Sequence, residues 1–329
     1  MAGNTSIIYK FVWQWNGSET PWEKDEAEWR RYSDMENDII EDAYLNGNDQ
    51  AVLHKHYVDF EQSLQISKND AFRQRQVRRI KVDSNGEYLR EDRFCICEQP
   101  LKPFGKAKNA MSDFVWAWLE DNRHIAPKHG NPDYIEIIKQ AGQGIVNEAK
   151  LLTLDFEGET IANKLIELQD QRIGQIQIGC FRLYTAESFL YKLINKTLRE
   201  DDRSKTETLG AFCYLLAESY LFKNLYDGLL YRGVTLTEEM INDYQNSTGE
   251  WRRWLAFSST SKCREKAQHF GNTLFILKLK PNAVYHDISS ISYYPNEEEV
   301  LLPAATDFVV DKVECDKDGK YLIYISIFS

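Results

Sequence analysis

No unbroken apolar run in these 329 residues, not even the closing YLIYISIF, approaches the roughly 20 that would carry a helix across a bilayer, so no membrane-spanning helix is expected. The opening MAGNTSIIYK has no basic leader and no apolar core of signal length before Gln14 and Asn16, and residence in the cytoplasm or nucleus, not secretion, is expected. Basic charge is in deficit. Forty Lys plus Arg against 51 Asp plus Glu leave −11, and such a molecule repels nucleic acid and anionic lipid as a whole. Neither a membrane nor direct DNA binding is expected, and a polyanion partner requires a local basic patch. The cysteines, at 95, 97, 180, 213, 263 and 315, lack the spacing of a zinc knuckle or a disulfide framework and read as reduced packing residues. His54 and His56 would share a strand face, but no Cys or acidic ligand pattern joins them, and no metal is expected. Also absent are internal repeats, low-complexity tracts and the G-x-G-x-x-G fingerprint of dinucleotide oxidoreduction.

What the chain does have is surface to bury. Apolar residues make up 43%, with eight Trp and 18 Tyr, enough for at least one full-sized core, and the length favours two domains. Residues 1–82 read as a small α+β domain. IIYKFVWQW is β-branched and aromatic without a breaker, hence a half-buried strand. MENDIIEDAYLNG places Ile39, Ile40, Ala43 and Tyr44 at helical spacing, with Gly47 past the end. YVDFEQSLQI and RQRQVRRIKV follow as strands; in the second, Arg73, Arg75 and Arg79 share faces by a period of two, and the pattern slips at Arg78. Residues 83–135, punctuated by SNG, PFGK, Pro100, Pro103 and Pro127, read as a connector in which FVWAWL is a docking segment.

From 131 the pattern turns helical. Asn131 can cap, Pro132 suits the first turn, and Ile135, Ile138, Ala141 and Ile145 recur at core spacing. Further helices are expected over roughly 159–172, 186–199 and 207–226; Thr185 caps the second, whose stripe is Phe189, Leu190, Leu193, Ile194 and Leu198. After Gly228 come the short strands LLYRGV, WLAFSSTS, TLFILKL, EVLLP, DFVVDKVE and KYLIYISIF, the last two joined by CDKDGK with its Asp318-Gly319 hairpin signal. Helices followed by antiparallel strands give an α+β domain over 136–329.

Three strings put charged or hydroxyl residues at the ends of apolar strands: Tyr231-Arg232-Gly233, Ser259-Thr260-Ser261 and Glu297-Glu298-Glu299. In order and context they resemble the R-S-E signature of arginine-directed mono-ADP-ribosyltransferases. YTAESFLYKLINKTLRED resembles that family's N-terminal helical lobe, and YPNEEEVLLP its element for recognising target and cofactor. The resemblance covers about residues 136–329 and implies an α+β fold, a helical lobe followed by a split antiparallel β-sandwich. It also implies an enzyme that uses NAD, or NADP, as substrate and a protein arginine as acceptor.

The residues suit that chemistry. Cleaving the nicotinamide–ribose bond passes through an oxocarbenium-like transition state, which needs a carboxylate near the anomeric centre and a grip on the diphosphate. Glu299 and Arg232 can supply these, the guanidinium because it is always charged, planar and able to fork two hydrogen bonds. Gly233 lets backbone approach a flat ring, and by family analogy its peptide holds the nicotinamide amide. Ser259 orients Glu299 and is not the nucleophile, since no histidine is placed to activate it. In extended backbone Glu297 and Glu299 face one side and Glu298 the other. The resemblance gives Glu299 the ribose 2′-hydroxyl and the developing cation, and Glu297 the acceptor guanidinium and its proton. Phe270 resembles an aromatic set against nicotinamide, and Tyr293 and Tyr294 would frame the acceptor; all three are equally at home as packing. Blander readings stand beside these: Arg232 as a strand-end ion pair, Ser259 as a turn hydroxyl, the glutamates as a solvated loop.

At the front, Trp13, Trp15, Trp29, Tyr32, Glu41 in IIEDAY, DFEQSLQ and the Arg-rich strand resemble a WWE domain over 6–82. Such modules recognise ADP-ribose units of poly(ADP-ribose) or mediate protein contacts. The resemblance implies an ADP-ribose site at Tyr57, Gln65 and Arg75, with Arg78 contributing and aromatics stacking adenine. Counting back from Asp59, His56 holds the family's usual Tyr position, with Tyr57 one place later. Two functions compete: transfer of ADP-ribose from NAD to arginine, and a reader of ADP-ribose or poly(ADP-ribose) with a degenerate, non-catalytic transferase domain. The intact Arg, Ser and paired Glu favour the first.

Overall fold

The computed structural model describes residues 9–19, 21–22, 27–83, 104–105, 111–217, 226 and 228–328. Cys95, Cys97, the SNG string, Pro100, Pro103 and the far end of the helix expected to reach 226 lie outside them. The chain divides into two units, Met1–Glu87 with Ala186–Ser188, and Tyr88–Thr185 with Phe189–Ser329.

The first unit is a six-stranded antiparallel sheet carrying one helix. Its strands are β1 (Tyr9–Asn16), β2 (Trp29–Arg31), β3 (Gln50–Val52), β4 (His56–Asp59), β5 (Leu64–Ser67) and β6 (Gln74–Asp83), in the order β2-β1-β6-β5-β4-β3. Helix α1 (Asp34–Leu45) starts on a reciprocal box between Ser33 and Glu36 and ends at Asn46, followed by Gly47 at φ +72°. Ile40 and Ala43 face Trp13, Ala51, Leu53, Val58 and Val77 in the core, while Tyr44 stays exposed with its ring edge against Trp13. The charged residues of this region form a closed set. Trp13 Nε1 donates to Glu41 at 2.8 Å, Arg79 forks to the same carboxylate, and the Arg79 guanidinium lies 3.4 Å over the Phe11 ring.

The second unit begins with helices α2 (Asp113–Asp121), α3 (Tyr134–Leu151), α4 (Asp155–Ile166), α5 (Ile173–Thr185), α6 (Phe189–Glu200) and α7 (Thr206–Ala217). The FVWAWL segment is α2, and it does dock: Trp118 is buried against Gly210 of α7, its ring 5.0 Å from Tyr214. The helix expected over 159–172 is α4, which starts earlier and ends at Ile166, and α5 was not expected at all. Both expected caps also differ. Asp133, not Asn131, caps α3, because its carboxylate reaches the Glu136 amide at 3.1 Å; Ile135 consequently faces solvent, while Ile137, Ile138, Ala141 and Ile145 are buried. Thr185 does not cap α6, which starts at Phe189. It closes α5, its hydroxyl donating to the Arg182 carbonyl at 2.8 Å.

The sheet contains β7 (Leu229–Val234), β8 (Trp251–Trp254), β9 (Ser258–Ser261), β10 (Thr273–Leu279), β11 (His286–Asp287), β12 (Glu299–Leu302), β13 (Thr306–Cys315) and β14 (Tyr321–Ile327), with α8 (Glu238–Asn246) and α9 (Arg264–Gln268) between strands. Its order is β11-β12-β9-β7-β10-β14-β13-β8. WLAFSSTS is thus two strands rather than one: β8 ends one edge and β9 lies on the far side of β7. The sheet is also not wholly antiparallel, since β10 and β14 run parallel along seven residue pairs. One narrow seam splits it. β7 and β9 meet through the single pair Tyr231–Ser261, which divides a three-stranded part from a five-stranded part. The core beneath the larger part is Leu230, Val234, Phe275, Leu277, Phe308 and Ile325 with their neighbours. Of the four described cysteines, Cys180 and Cys213 are buried and have the expected packing role, whereas Cys263 is half-buried and Cys315 exposed.

Candidate functional site

The seam gathers the three motifs. Along β7, Leu230, Arg232 and Val234 share one face by strand alternation; the first and third are core, and Arg232 pairs in register with Phe275. A cation in an apolar row needs a reason. Arg232 Nη1 donates to the Ser259 carbonyl at 2.7 Å, bridging the place where the backbone ladder between β7 and β9 stops. On the other side of β9, Ser261 stands opposite Glu299 and Ser259 opposite Leu301, so Ser259, Ser261 and Glu299 share a face.

The glutamates do not lie on the extended backbone expected of them. Pro295–Glu297 is a 3₁₀ turn and Glu298 is left-handed at φ 47°, ψ 46°, so the chain is not extended before β12 begins at Glu299. Glu297 and Glu299 are fully buried, whereas the Glu298 side chain is 46% exposed and pairs with Lys266 at 2.9 Å. Proline fixes the φ that starts the turn, and the left-handed residue ends it by reversing the chain into the strand. Neighbouring hydroxyls fasten this turn: Ser261 Oγ donates to the Glu297 carbonyl at 2.7 Å and accepts from the Cys263 amide, and Thr260 Oγ1 donates to the Val300 carbonyl at 2.6 Å. The second and third residues of Ser259-Thr260-Ser261 therefore act as rivets, a role the sequence reading did not assign.

Packing by itself already requires a glycine at 233. A Cβ there would lie 2.0 Å from the Ala267 carbonyl oxygen and 2.9 Å from Phe270 Cβ, so the missing side chain makes room for the end of α9. Phe270 is buried at that contact. Tyr293 is buried too. Its ring lies 4.2 Å from the Arg182 guanidinium and its amide donates to Thr185 Oγ1, so it packs on α5; Tyr294 is half-buried at the start of the 3₁₀ turn.

Beside Arg232 a cleft opens between β7, the 254–258 segment and the end of α6. Arg199, Arg232, Tyr244, Trp254, Phe257 and Ser258 line it. Arg199 is a site residue the sequence reading missed. It lies in the quoted YTAESFLYKLINKTLRED string, but an arginine in the last turn of an amphipathic helix is ordinary dipole chemistry, and nothing local marks it as facing a cleft. Two guanidiniums on one concave, aromatic-walled opening suit a diphosphate. Among the described residues no group of three or more His, Cys, Asp or Glu could hold a metal, and no helix is long and apolar enough to cross a membrane. His54 sits in a bend, not on β4, so it shares no strand face with His56.

In the first unit, register sorts the expected ADP-ribose residues. Gln65 pairs with both Val58 and Arg75, which puts these three on one face, and His56 joins them two residues before Val58. Tyr57 pairs with Ile66 and thus faces the other way, so it is His56, not Tyr57, that accompanies Gln65 and Arg75. Arg75 donates to the Ser18 carbonyl. Arg78 also points away from them, lying 4.1 Å over Trp29 with Nε bonded to Gln14.

Comparison with known proteins agrees with this division. Residues 177–327 match the family model described as NAD:arginine ADP-ribosyltransferase, and residues 11–79 match that of the WWE domain. Helices α2, α3 and α4 lie outside both matches. A Mycobacterium avium (strain 104) protein named NAD(+)–arginine ADP-ribosyltransferase Mav is 35% identical over 103 residues, which span 30% of this chain and 12% of that relative. The chain thus matches only about an eighth of that relative's length. Similar solved structures include the ADP-ribosyltransferase HopU1 of Pseudomonas syringae (22% identity, 51% of this chain and 87% of that one, TM-score 0.42). The type III effector XopAI of Xanthomonas axonopodis pv. citri is 17% identical, covering 70% of this chain and 99% of its own, with a TM-score of 0.44. Residues 177–327 are thus similar to the NAD:arginine ADP-ribosyltransferase family, and residues 11–79 to the WWE domain.

Proposed function

We propose that the second unit transfers ADP-ribose from NAD to an arginine side chain of a protein and releases nicotinamide. One observation carries the reading: Arg232 shares a cleft with Arg199 and bonds the Ser259 carbonyl across the seam, and Ser259 shares a strand face with the buried Glu299 on the other side of β9. Arg232 and Arg199 would hold the diphosphate. Ser259, on the same face as Glu299, would orient that carboxylate. As the glycosidic bond to nicotinamide lengthens and its electron pair leaves with the ring, Glu299 stabilises the positive charge left on the ribose. Glu297 binds the acceptor guanidinium and takes its proton as nitrogen bonds to the anomeric carbon; the proton then passes to solvent. Phe270 and the Gly233 peptide are the proposed nicotinamide neighbours, and Tyr294 the partly exposed aromatic nearest the acceptor carboxylate in sequence. NADP remains a candidate donor beside NAD. In the first unit, we propose that His56, Gln65 and Arg75 present a polar face to ADP-ribose units of poly(ADP-ribose).

Labelled NAD and an arginine-rich acceptor test the transferase reading. Glu299→Ala should lower both transfer and NAD hydrolysis by about 10³-fold, the scale of losing a preorganised charge partner in a transition state. Glu297→Gln should lower transfer far more than hydrolysis, because only the acceptor's grip is removed. Equal losses from Glu297→Gln would refute the division of labour, and a wild-type protein that neither transfers nor hydrolyses would refute the activity.

A further inference from the structure

Helix α9 has five residues and touches both sides of the seam. Its Ala267 carbonyl fills the space beside Gly233, next to Arg232. One residue earlier, Lys266 reaches the other way: Nζ donates to the Asn296 carbonyl and, at 2.9 Å, to Glu298 Oε1. Both acceptors belong to the turn that delivers Glu297 to the interior. That turn is under strain, because Glu298 is a non-glycine residue held at φ 47°, where Cβ crowds the following carbonyl. Something must offset the strain, and an ammonium that ties the residue before Glu297 to the residue after it is placed to do so. The two carboxylates depend on the turn unequally. Glu299 is fixed in the β12 ladder opposite Ser261, whereas Glu297 lies upstream of the strained residue and moves with it.

We infer that Lys266 is a positioning residue for the acceptor carboxylate: by bridging Asn296 and Glu298 it keeps the left-handed turn closed around Glu297, and so sets how much ADP-ribose passes to a guanidine rather than to water. The inference rests on the transferase reading for its consequence but not for its geometry. Lys266 is itself no catalytic residue. It acts through Glu297.

The test uses the full chain with NAD and a small guanidine acceptor such as agmatine. In Lys266→Met, the ratio of guanidine transfer to NAD hydrolysis falls roughly fivefold, the size of one half-exposed ion pair plus a carbonyl bond, with the acceptor KM rising and hydrolysis within about twofold. Lys266→Arg keeps most of the ratio. Glu298→Gly supplies a residue that adopts the left-handed region freely, so adding it to Lys266→Met brings the ratio back toward wild type. An unchanged ratio in Lys266→Met, or no recovery in the double variant, overturns the inference. Amide hydrogen exchange across residues 296–299 gives a readout independent of turnover: it speeds up in Lys266→Met and slows again in the double variant. Unaltered exchange also overturns the inference, whereas inactive wild-type protein with altered exchange would fault the transferase reading alone.

Discussion

The two units use arginine on a strand in opposite ways. In the first, Arg79 is answered completely from within: a carboxylate that also receives an indole N–H, and an aromatic ring beneath the guanidinium. In the second, Arg232 stands in an apolar row, bonds a carbonyl across a break in the ladder, and shares its cleft with a second cation, Arg199. Gathering like charges at one opening costs the folded protein by self-repulsion and is relieved by an anion. The contrast teaches that a charged strand residue becomes informative through its surroundings: a closed ion pair is framework, and converging cations on a concave surface are a grip.

Acid should separate the two regions most sharply. His286 of β11 is buried against Phe181, its Nε2 lacks a hydrogen-bond partner among the described residues, and burial lowers its pKa to about 4. The folded imidazole stays neutral where an unfolded one binds a proton, so stability is intact above about pH 6.5 and is lost as pH falls toward 4, by up to about 3 kcal/mol. In the first unit, the Arg79 hydrogen bond holds Glu41 below the usual carboxylate range, so its contribution survives until pH falls through that lower value. Denaturant midpoints followed across this range should show the second unit softening first, and His286→Gln should flatten its profile; an equally steep profile in the variant would mean another group titrates. Burial lowers His56 as well, which adds a weaker acid sensitivity to the first unit.

Removing one partner of the closed ion pair comes next in size. Glu41→Ala leaves Arg79 and the Trp13 indole without their acceptor, and the first unit should lose about 2 kcal/mol in urea titration, below the full cost of a buried pair because both side chains are about a fifth exposed. NAD hydrolysis should hardly respond; a large fall would break the contrast between framework and grip. The smallest effect concerns the first unit's ligand. Titrated with ADP-ribose oligomers, Gln65→Ala should bind roughly tenfold more weakly, the value of one polar contact left unpaired, while Tyr57→Phe stays within about twofold. The reverse order would show that strand alternation misplaces the site.

Much of this was legible in the strings themselves. LLYRGV, TLFILKL and KYLIYISIF announce strands because β-branched and aromatic residues run there without breakers, and Ile39, Ile40, Ala43 and Tyr44 with Gly47 beyond announce a helix and its end. What was not legible depends on distant partners. Whether Asn131 or Asp133 caps α3 is decided by which side chain reaches an amide three residues on, and Pro132 serves either choice. The parallel pairing of β14 with β10 is set by the order of strands across the sheet, which no local pattern carries. The face of Tyr57 turns on a shift of one residue, the least reliable quantity in any strand assignment. The glutamates show the subtler case: alternation set Glu298 apart from Glu297 and Glu299, and the structure does bury the latter two, but through a turn and a left-handed residue that no alternation foresees.

Strand β14 lies in the interior of its sheet, flanked by β10 and β13, although it follows every other strand of the unit in the chain. A growing polypeptide would therefore hold β10 with one edge open until residues 321–327 emerged from the ribosome, and the larger part of the sheet would remain two separate pieces. Closing that part of the sheet would then be a single step, in which β14 joins β10 to β13.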